Sequence, residues 1–509
     1  MSNAVQNVWK HADSTPHAIA LRVGKDEWSY AETRACIMRA ATFLRARGAR
    51  KGGRVLIVLP TSPEFVWTYY GALSLGAVAV TVNTMSAPRE IEYFIRDAEC
   101  DIAVGYEGSE TALLPAVAAT GRPCSILSPG AFSTAEVGER SSTGSYTDLP
   151  GDEPAVLLYT SGTTGSPKGA VLTHDNLLAC AKSQSEVQAI GPDDRMGTAL
   201  PLFHVFGQAS VMSSVHHVGA SLSLLRPFSG AGMIEMAAAH ELTAMAGVPT
   251  MWNEMLHAET DVTAEQLGAL RLCVSGGATL PLAVAAAFRE RFGAQVMDGY
   301  GLSETTGTAS GRRQGAPPKE GSVGSAMPGC TIAIFGPDHQ PVADGVVGEV
   351  AIDGPVVMRE YWNRPDATAD VRAGSWFLTG DLGRMDADGD LWIVGRTKDL
   401  IIRGGYNVYP REVEEVLYSH PDVLEAAVIG VPDERLGEEI AAVVVTQPGR
   451  HVDLAALRAW LEERLSTYKV PRIYHLCDEL PKGSTGKILK RALDPDAVIK
   501  DGVRVTQSR

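Results

Sequence analysis

The sequence predicts an α/β protein with a large N-terminal domain of two α/β sheet subdomains, a small β-barrel-like subdomain and a small α+β C-terminal domain. Three observations support this prediction. Residues 1–330 alternate short β-rich runs with helix-length segments, which is typical of βαβ units. Residues 330–395 consist of β-rich pieces separated by turn signals. The chain has 509 residues, which exceeds the size at which a single hydrophobic core stops growing.

In the first two subdomains, apolar and β-branched runs mark strands, and longer segments between them mark helices. The predicted strands are residues 55–59 and 77–82 and short segments near Leu222 and Leu272. The predicted helices are residues 64–75, 90–97, 176–187 and 282–292. Two parallel or mixed sheets covered by helices are therefore expected. Residues 122–153, rich in Pro, Gly, Ser and Thr, are predicted to form a surface connection between them.

Turn signals at residues 336–338, 344–345 and 388–389 predict short antiparallel strands in the third subdomain. A compact α+β segment follows Arg396. Its predicted helices are residues 410–418 and 454–465, and its predicted strands are residues 426–431 and 440–445. We therefore divide the chain into an N-terminal domain, residues 1–395, and a C-terminal domain, residues 396–509.

The composition excludes several classes of protein. Hydrophobic residues make up 45% of the chain and charged residues 21%, as in globular domains, and no run approaches 18 uninterrupted apolar residues. The N-terminus lacks the basic and apolar regions of a signal peptide. Seven scattered cysteines without a C-x-x-C spacing indicate reduced thiols in the cytoplasm. A net charge of −15 argues against binding to nucleic acid.

A hydroxyl- and glycine-rich loop, residues 159–170, follows the apolar run 155–158. Its glycines let backbone N–H groups approach an anion, its hydroxyls can donate to phosphate oxygens, and Lys168 adds positive charge. The loop is not a Walker A motif, because Lys168 follows Gly165 by three positions and precedes Gly169 rather than Ser or Thr. A strand followed by such a loop predicts phosphate binding, and a flexible linker is the alternative.

Seven further segments accompany this loop in order along the chain. They are residues 200–207 (LPLFHVFG), 275–278 (SGGA), 298–305 (DGYGLSET), 376–381 (WFLTGD), 395–399 (GRTKD), 403–410 (RGGYNVYP) and 481–487 (PKGSTGK). With these motifs the chain resembles the adenylate-forming superfamily of acyl-CoA synthetases, luciferases and non-ribosomal peptide synthetase adenylation domains. The resemblance extends from about Trp28 to about Leu493. It implies that the C-terminal domain is mobile.

The resemblance implies an ATP site in the N-terminal domain. The residues implied are Thr160, Ser161, Gly162, Thr163, Thr164, Gly165, Lys168, Gly277, Ala278, Asp298, Gly299, Tyr300, Ser303, Asp381 and Arg396. Tyr300 is implied to stack on adenine, and core packing is the alternative. Asp381 is implied to accept the ribose hydroxyls with Arg396 as its partner, and a surface ion pair of little energetic value is the alternative.

The resemblance also implies the catalytic residues. Glu304 is implied to bind Mg²⁺; alternatively, its charge complements a helix N-terminus. Lys487 is implied to stabilise the charge that develops near the α-phosphate and the carboxylate, and Lys482 is the weaker basic candidate. His204 is implied to line the acyl site, and a structural role for a buried histidine is the alternative.

Lys398 matches the family's hinge between the two domains, about which the C-terminal domain rotates after adenylation. Gly404 and Gly405 are implied to form the CoA-binding face, because glycines leave room for a pantetheine arm. An ordinary hairpin turn is the alternative for these two glycines. The acyl pocket is implied to include His204, Phe206, Trp252, Gly276 and Gly301.

These features predict an ATP- and Mg²⁺-dependent carboxylic acid:CoA ligase that acts through an acyl-AMP intermediate and releases AMP and pyrophosphate. The predicted partners are a carboxylic acid, ATP and CoA. A carrier-protein phosphopantetheine as the acceptor and a homodimer stay open. A luciferase-like oxygenase and a degenerate nucleotide-binding sensor are the remaining alternatives, although a sensor has little need for the Lys487 loop.

The acid is predicted from the segments that border the pocket in the family, residues 203–210, 247–252 and 301–306. These segments contain no Lys or Arg, so a second carboxylate would be buried without a partner. Dicarboxylates such as malonate are expected to be poor substrates. Medium- to long-chain fatty acids are the predicted substrates, and aromatic acids of the cinnamate type are the alternative.

Overall fold

A computed structural model describes residues 2–128, 130–132, 144–160, 167–317, 319–483 and 486–505 of the chain. The predicted fold class is confirmed, because sheets and helices alternate through a large N-terminal part and a smaller C-terminal part carries a sheet of its own. No helix in these ranges is long and apolar enough to cross a membrane.

The first sheet of the N-terminal part positions the candidate site. Its strands lie in the order Ser325–Ala326, Ser310–Gly311, Val296–Tyr300, Leu272–Ser275, Ala244–Gly247, Arg195–Thr198, Ser221–Leu224, Ile19–Val23 and Asp26–Ser29. The predicted strands near Leu222 and Leu272 are therefore confirmed. The strands between residues 195 and 300 run parallel. Because the carboxyl ends of parallel strands share one edge of a sheet, the loops after Thr198, Gly247, Ser275 and Tyr300 meet there.

The second sheet carries the glycine-rich loop. Its strands lie in the order Glu360–Tyr361, Lys168–Thr173, Pro154–Thr160, Val78–Thr81, Arg54–Ile57, Ile102–Tyr106 and Cys124–Leu127. The predicted surface connection, residues 122–153, is wrong for Cys124–Leu127, because these four residues form a strand. This short strand pairs with Ile102–Tyr106, and four residues at a sheet edge carry too little pattern to be recognised in the sequence.

Local capping explains where the helices begin. Proline at the first position and the Ser62 side chain, which accepts from the Phe65 N–H, start the helix Pro63–Ser74. The Thr173 side chain likewise caps His174–Val187. The other helices of the N-terminal part are Gln6–Ser14, Tyr30–Ala46, Pro88–Asp97, Glu110–Thr120, Ser213–Val218, Gly230–Ala239, Pro249–His257, Leu282–Phe292 and Pro365–Ala369, with a π-helix at Phe206–Met212. All four helices predicted in this part are therefore present, with ends shifted by up to two residues.

The third subdomain is an antiparallel sheet. It contains the strands Thr331–Phe335, Gly348–Asp353, Arg372–Ala373, Trp376–Met385 and Leu391–Arg396. Trp376–Met385 pairs with Leu391–Arg396, which sets Asp381 directly opposite Arg396. A turn at residues 397–399 then leads to the next strand. The division into residues 1–395 and 396–509 stays a prediction.

The C-terminal part builds its sheet around one long hairpin. Its strands are Ile401–Arg403, Tyr406–Val408, Val423–Asp433, Gly437–Thr446, Ile473–Cys477 and Val503–Arg504, and its helices are Pro410–Tyr418, Leu454–Glu462 and Pro495–Asp501. Apolar side chains such as Val428, Val444 and Leu457 are fully buried in a core of its own. The predicted helices and strands are present, although the second helix ends at Glu462 rather than at residue 465.

Candidate active site

Asp381 is held between an arginine and a tyrosine. Arg396 Nε donates to Asp381 Oδ1 at 2.9 Å, and the Tyr300 hydroxyl donates to Oδ2 at 2.6 Å. The Asp381 side chain is 5% exposed and that of Arg396 is 51% exposed. Burial and the neighbouring carboxylate raise the pKa of Tyr300. Three residues predicted to contact ATP therefore meet here: Tyr300 from the first sheet, and Asp381 and Arg396 from the sheet of the third subdomain.

Lys487 reaches this cluster from the C-terminal part of the chain. Its ammonium interacts electrostatically with Arg396, Asp381 and Asp399. Burial and the positive charge of Arg396 lower the pKa of Lys487 to about 8. Lys482, the weaker candidate, instead forms an ion pair with Glu425 at 2.7 Å within the same domain.

His204 lies next to Lys487. It precedes the π-helix Phe206–Met212, and its Nδ1 accepts a hydrogen bond from the Phe206 N–H at 3.3 Å. Burial, followed by the positive charge of Lys487, lowers the pKa of His204 to about 4. The imidazole is therefore neutral at physiological pH and can form an uncharged wall beside a reacting carboxylate.

Glu304 lies at the meeting point of the two sheets. Its Oε1 accepts hydrogen bonds from the Tyr361 hydroxyl at 2.8 Å and from Thr160 Oγ1 at 3.3 Å. The ammonium of Lys168 stands 5.2 Å above the centre of the Tyr361 ring. Sequence reasoning missed Tyr361, because no motif marks it. Ser161, Gly162, Thr163, Thr164 and Gly165 lie outside the described residues.

Asp298 carries a buried carboxylate at the carboxyl edge of the first sheet. Its Oδ2 accepts from the Leu280 N–H at 3.3 Å, while Oδ1 is buried without a hydrogen-bond partner in the described ranges. Burial raises the pKa of Asp298 to about 7. A buried carboxylate oxygen without a partner is suited to accept from a ligand amino group.

The remaining predicted ATP residues lie on the same edge. Gly277 and Ala278 follow the strand Leu272–Ser275, Gly299 lies within Val296–Tyr300, and Ser303 begins a single 3₁₀ turn. Gly277 has a φ of +77°, a left-handed conformation that favours glycine. The structure therefore places these four residues around Asp298 and Tyr300.

A cavity of about 50 Å³ opens at this edge. It is lined by the predicted acyl residues His204, Phe206, Gly276 and Gly301, by the predicted ATP residues Gly277, Asp298, Gly299 and Tyr300, and also by Gln184, Gln188 and Arg312. The last three were missed in the sequence, because they lie outside every motif and meet the cavity only through folding. A Cβ at Gly276 would stand 3.3 Å from the Phe206 ring, and one at Gly301 would stand 2.5 Å from the Gly307 backbone. At both glycines the backbone therefore lies so close to a neighbouring group that little room is left for a side chain.

Trp252 does not line this cavity or the larger cleft described next. It is 1% exposed and packs edge-on against Phe288, with ring centres 5.4 Å apart. A Cβ at Gly247 would stand 3.0 Å from its indole ring. In this structure Trp252 packs against the strand Ala244–Gly247 from the core side and does not border the cavity.

A cleft of about 530 Å³ separates the two domains. Phe203, Arg226 and Thr250 line it from one side, and Lys482 and Gly486 from the other. Lys398 is exposed in the turn at residues 397–399.

Gly404 and Gly405 form the hairpin turn between Ile401–Arg403 and Tyr406–Val408, with φ values of +57° and +86°. The Cβ position of Gly404 lies 3.2 Å from Leu436 of its own domain, and no atom of Lys487 lies within 4 Å of the Cβ position of either glycine.

The chain matches two family models. Residues 8–362 match the AMP-binding enzyme family, and residues 412–487 match the AMP-binding enzyme C-terminal domain. A feruloyl-CoA synthase from Amycolatopsis sp is 37% identical over 487 residues, covering 94% of this chain and 96% of the relative. A long-chain-fatty-acid–CoA ligase from Bacillus subtilis (strain 168) is 35% identical over 493 residues, covering 90% and 88%.

Solved structures share the whole fold. ATP-bound MatB from Rhodopseudomonas palustris superposes with a TM-score of 0.91 at 32% identity, covering 98% of this chain and 99% of that one. A benzoate CoA ligase from Burkholderia xenovorans LB400 gives a TM-score of 0.89 at 27% identity, covering 96% and 99%. Together with the family matches, these likenesses show that the chain belongs to the AMP-binding enzyme family and is an AMP-forming acyl-CoA ligase, a family whose substrates include ATP and CoA.

Proposed function

We propose that this ligase activates a compact, uncharged-tailed carboxylic acid, aromatic or of short to medium length. The observation that carries the proposal is the position of the cavity, whose His204 wall adjoins Lys487 and whose Tyr300 wall adjoins Asp381. About 50 Å³ is the space of only a few water molecules, since one water needs about 10–15 Å³. Gly277, Asp298 and Tyr300, which are proposed to contact ATP, line the same cavity, so the space left for the acyl tail is smaller still. A compact group fits it better than a long alkyl chain.

The first reaction forms the acyl-adenylate. An oxygen of the carboxylate attacks the α-phosphorus of ATP, and the bond from that phosphorus to pyrophosphate breaks. Lys487 supplies a positive charge where negative charge develops, and Asp381 with Arg396 orients the ribose. Tyr300 packs against the adenine, and Asp298 Oδ1 accepts a hydrogen bond from its amino group.

Glu304 fits a role in holding Mg²⁺. Carboxylate oxygens are ligands that Mg²⁺ prefers, and Glu304 Oε2 has no hydrogen-bond partner in the described ranges. Those ranges contain no group of three or more His, Cys, Asp and Glu that could hold a metal, which suits an ion bound by one carboxylate together with substrate phosphates. When bound, Mg²⁺ would neutralise phosphate charge.

The second reaction transfers the acyl group. The CoA sulfur attacks the acyl carbon, the bond to AMP breaks, and the thiol proton passes to solvent. Gly404 and Gly405 are proposed to meet the pantetheine arm after the C-terminal domain rotates about Lys398. Lys487 interacts electrostatically with Asp381 and Arg396 while the glycine turn packs against Leu436, which supports an orientation suited to the adenylation step.

The test is acid-dependent release of pyrophosphate and AMP, with and without CoA, for purified protein. We expect pyrophosphate exchange without CoA and multiple-turnover AMP release only with CoA. Lys487→Ala should lower pyrophosphate exchange by on the order of 10²–10³, while Lys482→Ala serves as the matched control. AMP release that does not increase with CoA but requires a phosphopantetheinylated carrier protein would favour the carrier protein as the acceptor.

Medium- to long-chain fatty acids are the second substrate class, and the 35% identity to a long-chain-fatty-acid–CoA ligase supports them. A comparison of kcat/KM for malonate, benzoate, cinnamate, octanoate and palmitate separates the classes. We expect an aromatic acid or octanoate to exceed palmitate, because palmitate needs a longer channel. If palmitate has the highest kcat/KM, the proposal of a compact acyl cavity is wrong. If malonate has the highest kcat/KM, the proposal of an uncharged acyl pocket is wrong.

A further inference from the structure

Two glutamines meet the acyl cavity at the end of the helix His174–Val187. Gln184 and Gln188 are each 7% exposed, and both line the cavity. Gln188 Nε2 donates to Gln184 Oε1 at 2.7 Å, so the two amides form one connected pair. Long polar side chains are rarely this buried without a partner that uses their remaining hydrogen-bonding atoms.

The pair has a donor and an acceptor to spare. In the described ranges, Gln184 Nε2 makes no hydrogen bond as a donor and Gln188 Oε1 accepts none. If both amides were flipped, the pair would still leave one NH₂ and one carbonyl oxygen unused. The cavity therefore presents a donor and an acceptor side by side.

The cavity is also lined by other polar groups and by apolar side chains. Ser275 Oγ, Thr308 Oγ1 and Asp298 Oδ1 are buried without a hydrogen-bond partner in the described ranges. Val187, Phe206, Val274 and Met297 also line the cavity. The guanidinium of Arg312 is engaged, since it donates to the backbone oxygens of residues 317 and 319 and pairs with Asp390 at 3.7 Å. A negatively charged group here would lack a free cation among the described lining residues.

The glutamine pair belongs to a different element of the fold from the groups proposed to lie beside the reacting carboxylate. His204 marks the wall beside Lys487, whereas the glutamines come from the helix His174–Val187 and its C-cap. Because His204 and the glutamines line one cavity, an acid whose carboxylate lies by Lys487 can place its tail against the amide pair. That tail passes the Phe206 ring, which lies close over the Gly276 backbone.

We propose that Gln184 and Gln188 select acids that carry a phenolic hydroxyl on their tail. A phenol donates one hydrogen bond and accepts another, which matches the free carbonyl oxygen and NH₂ of the pair. Its flat ring also suits a compact cavity walled by Phe206. This inference rests on the proposed function and names hydroxylated aryl acids as its substrate class.

The experiment compares acids that differ by one hydroxyl: 4-hydroxycinnamate with cinnamate, and 4-hydroxybenzoate with benzoate. The readout is kcat/KM for acid-dependent pyrophosphate exchange. In the natural protein we expect at least one hydroxylated acid to exceed its unsubstituted partner by about tenfold or more, because buried amides left unpaired disfavour the acid without the hydroxyl.

Gln184→Met and Gln188→Met keep the length of the side chain and remove the amide. Each substitution should bring the ratio of kcat/KM for the hydroxylated acid to kcat/KM for its unsubstituted partner close to one. The main cause should be a lower kcat/KM for the hydroxylated acid. Gln266→Met, at an exposed position in a surface turn, should leave the ratio unchanged. Retained activity with cinnamate or benzoate shows that a variant is folded.

The inference would be overturned if the natural protein did not favour the hydroxylated acid. It would also be overturned if the glutamine variants lowered kcat/KM equally for both acids of a matched pair. In both cases, adenylation of unsubstituted or aliphatic acids leaves the proposed function standing. Failure to adenylate any acid would reject the proposed function and the inference together.

Discussion

The Thr250 hydroxyl donates a hydrogen bond to the carbonyl oxygen of Gly486, the residue before Lys487, over 3.0 Å. Thr250 belongs to the helix Pro249–His257 of the N-terminal part, so this bond joins the two domains. Gly486 has a φ of +76°, and a Cβ there would stand 2.7 Å from Thr250 Oγ1. The close approach holds the Lys487 loop against the cavity edge.

Thr250→Val should slow adenylation and spare thioester formation. The substitution removes the hydroxyl while nearly keeping the shape, and loss of one such bond, about 1 kcal/mol, corresponds to roughly fivefold in rate. Pyrophosphate exchange and single-turnover transfer from supplied acyl-AMP to CoA measure the two steps separately. Thr42→Val is the matched control, since Thr42 also donates to a backbone oxygen but lies on an exposed helix face. Equal losses in both steps would show that Thr250 does not act through the Lys487 loop.

Adenylation should weaken as the pH rises through about 8. Burial and Arg396 lower the pKa of Lys487 to about 8, so its charge is present below that pH and lost above it. The kcat/KM for pyrophosphate exchange reports the free enzyme and should show this descending limb. Lys487→Arg should move the limb above pH 10 even if the rate falls, because guanidinium stays protonated. A limb that persists unchanged in Lys487→Arg would assign it to another group.

Lys398→Pro should uncouple the two reactions. Proline fixes φ and removes the backbone donor, which hinders rotation at the turn, while the predicted ATP residues on the first sheet are left in place. We expect pyrophosphate exchange to persist and CoA-dependent turnover to fall. Lys398→Ala controls for loss of the side chain, because it keeps the backbone freedom. Loss of exchange together with normal transfer from added acyl-AMP would contradict a hinge at this residue.

Asp298→Asn should stabilise the protein more at pH 8 than at pH 5. Burial raises the pKa of Asp298 to about 7, above the value near 4 of an unfolded chain. The folded state then binds the extra proton, so the stability contributed by Asp298 is present at low pH and is lost between about pH 4 and pH 7. Thermal unfolding of both proteins at the two pH values measures the difference. A difference in Tm that is the same at both values would show that Asp298 is not titrating in this range.

The elements that depend on short stretches of chain could be predicted from the sequence. Helix starts such as Pro63 and His174 follow from a cap and a few neighbouring residues, and buried parallel strands carry continuous apolar runs. The two-residue strand Glu360–Tyr361 could not be predicted, because it joins a sheet whose other strands lie about 190 or more residues earlier. Its pairing energy comes from those distant strands rather than from its own residues.

The same division applies to the site. The sequence by itself determined the family motifs, and with them the chemistry proposed for Asp381, Glu304 and Lys487, because reacting groups need particular side chains at particular turns. Only the tertiary structure brought Tyr361 to Glu304, Thr250 to the Lys487 loop and the glutamine pair to the proposed acyl cavity. It also moved Trp252 from the predicted pocket into the core. Each of these contacts joins residues that no local pattern relates, since burial and packing depend on which surfaces meet when the sheets, helices and domains assemble.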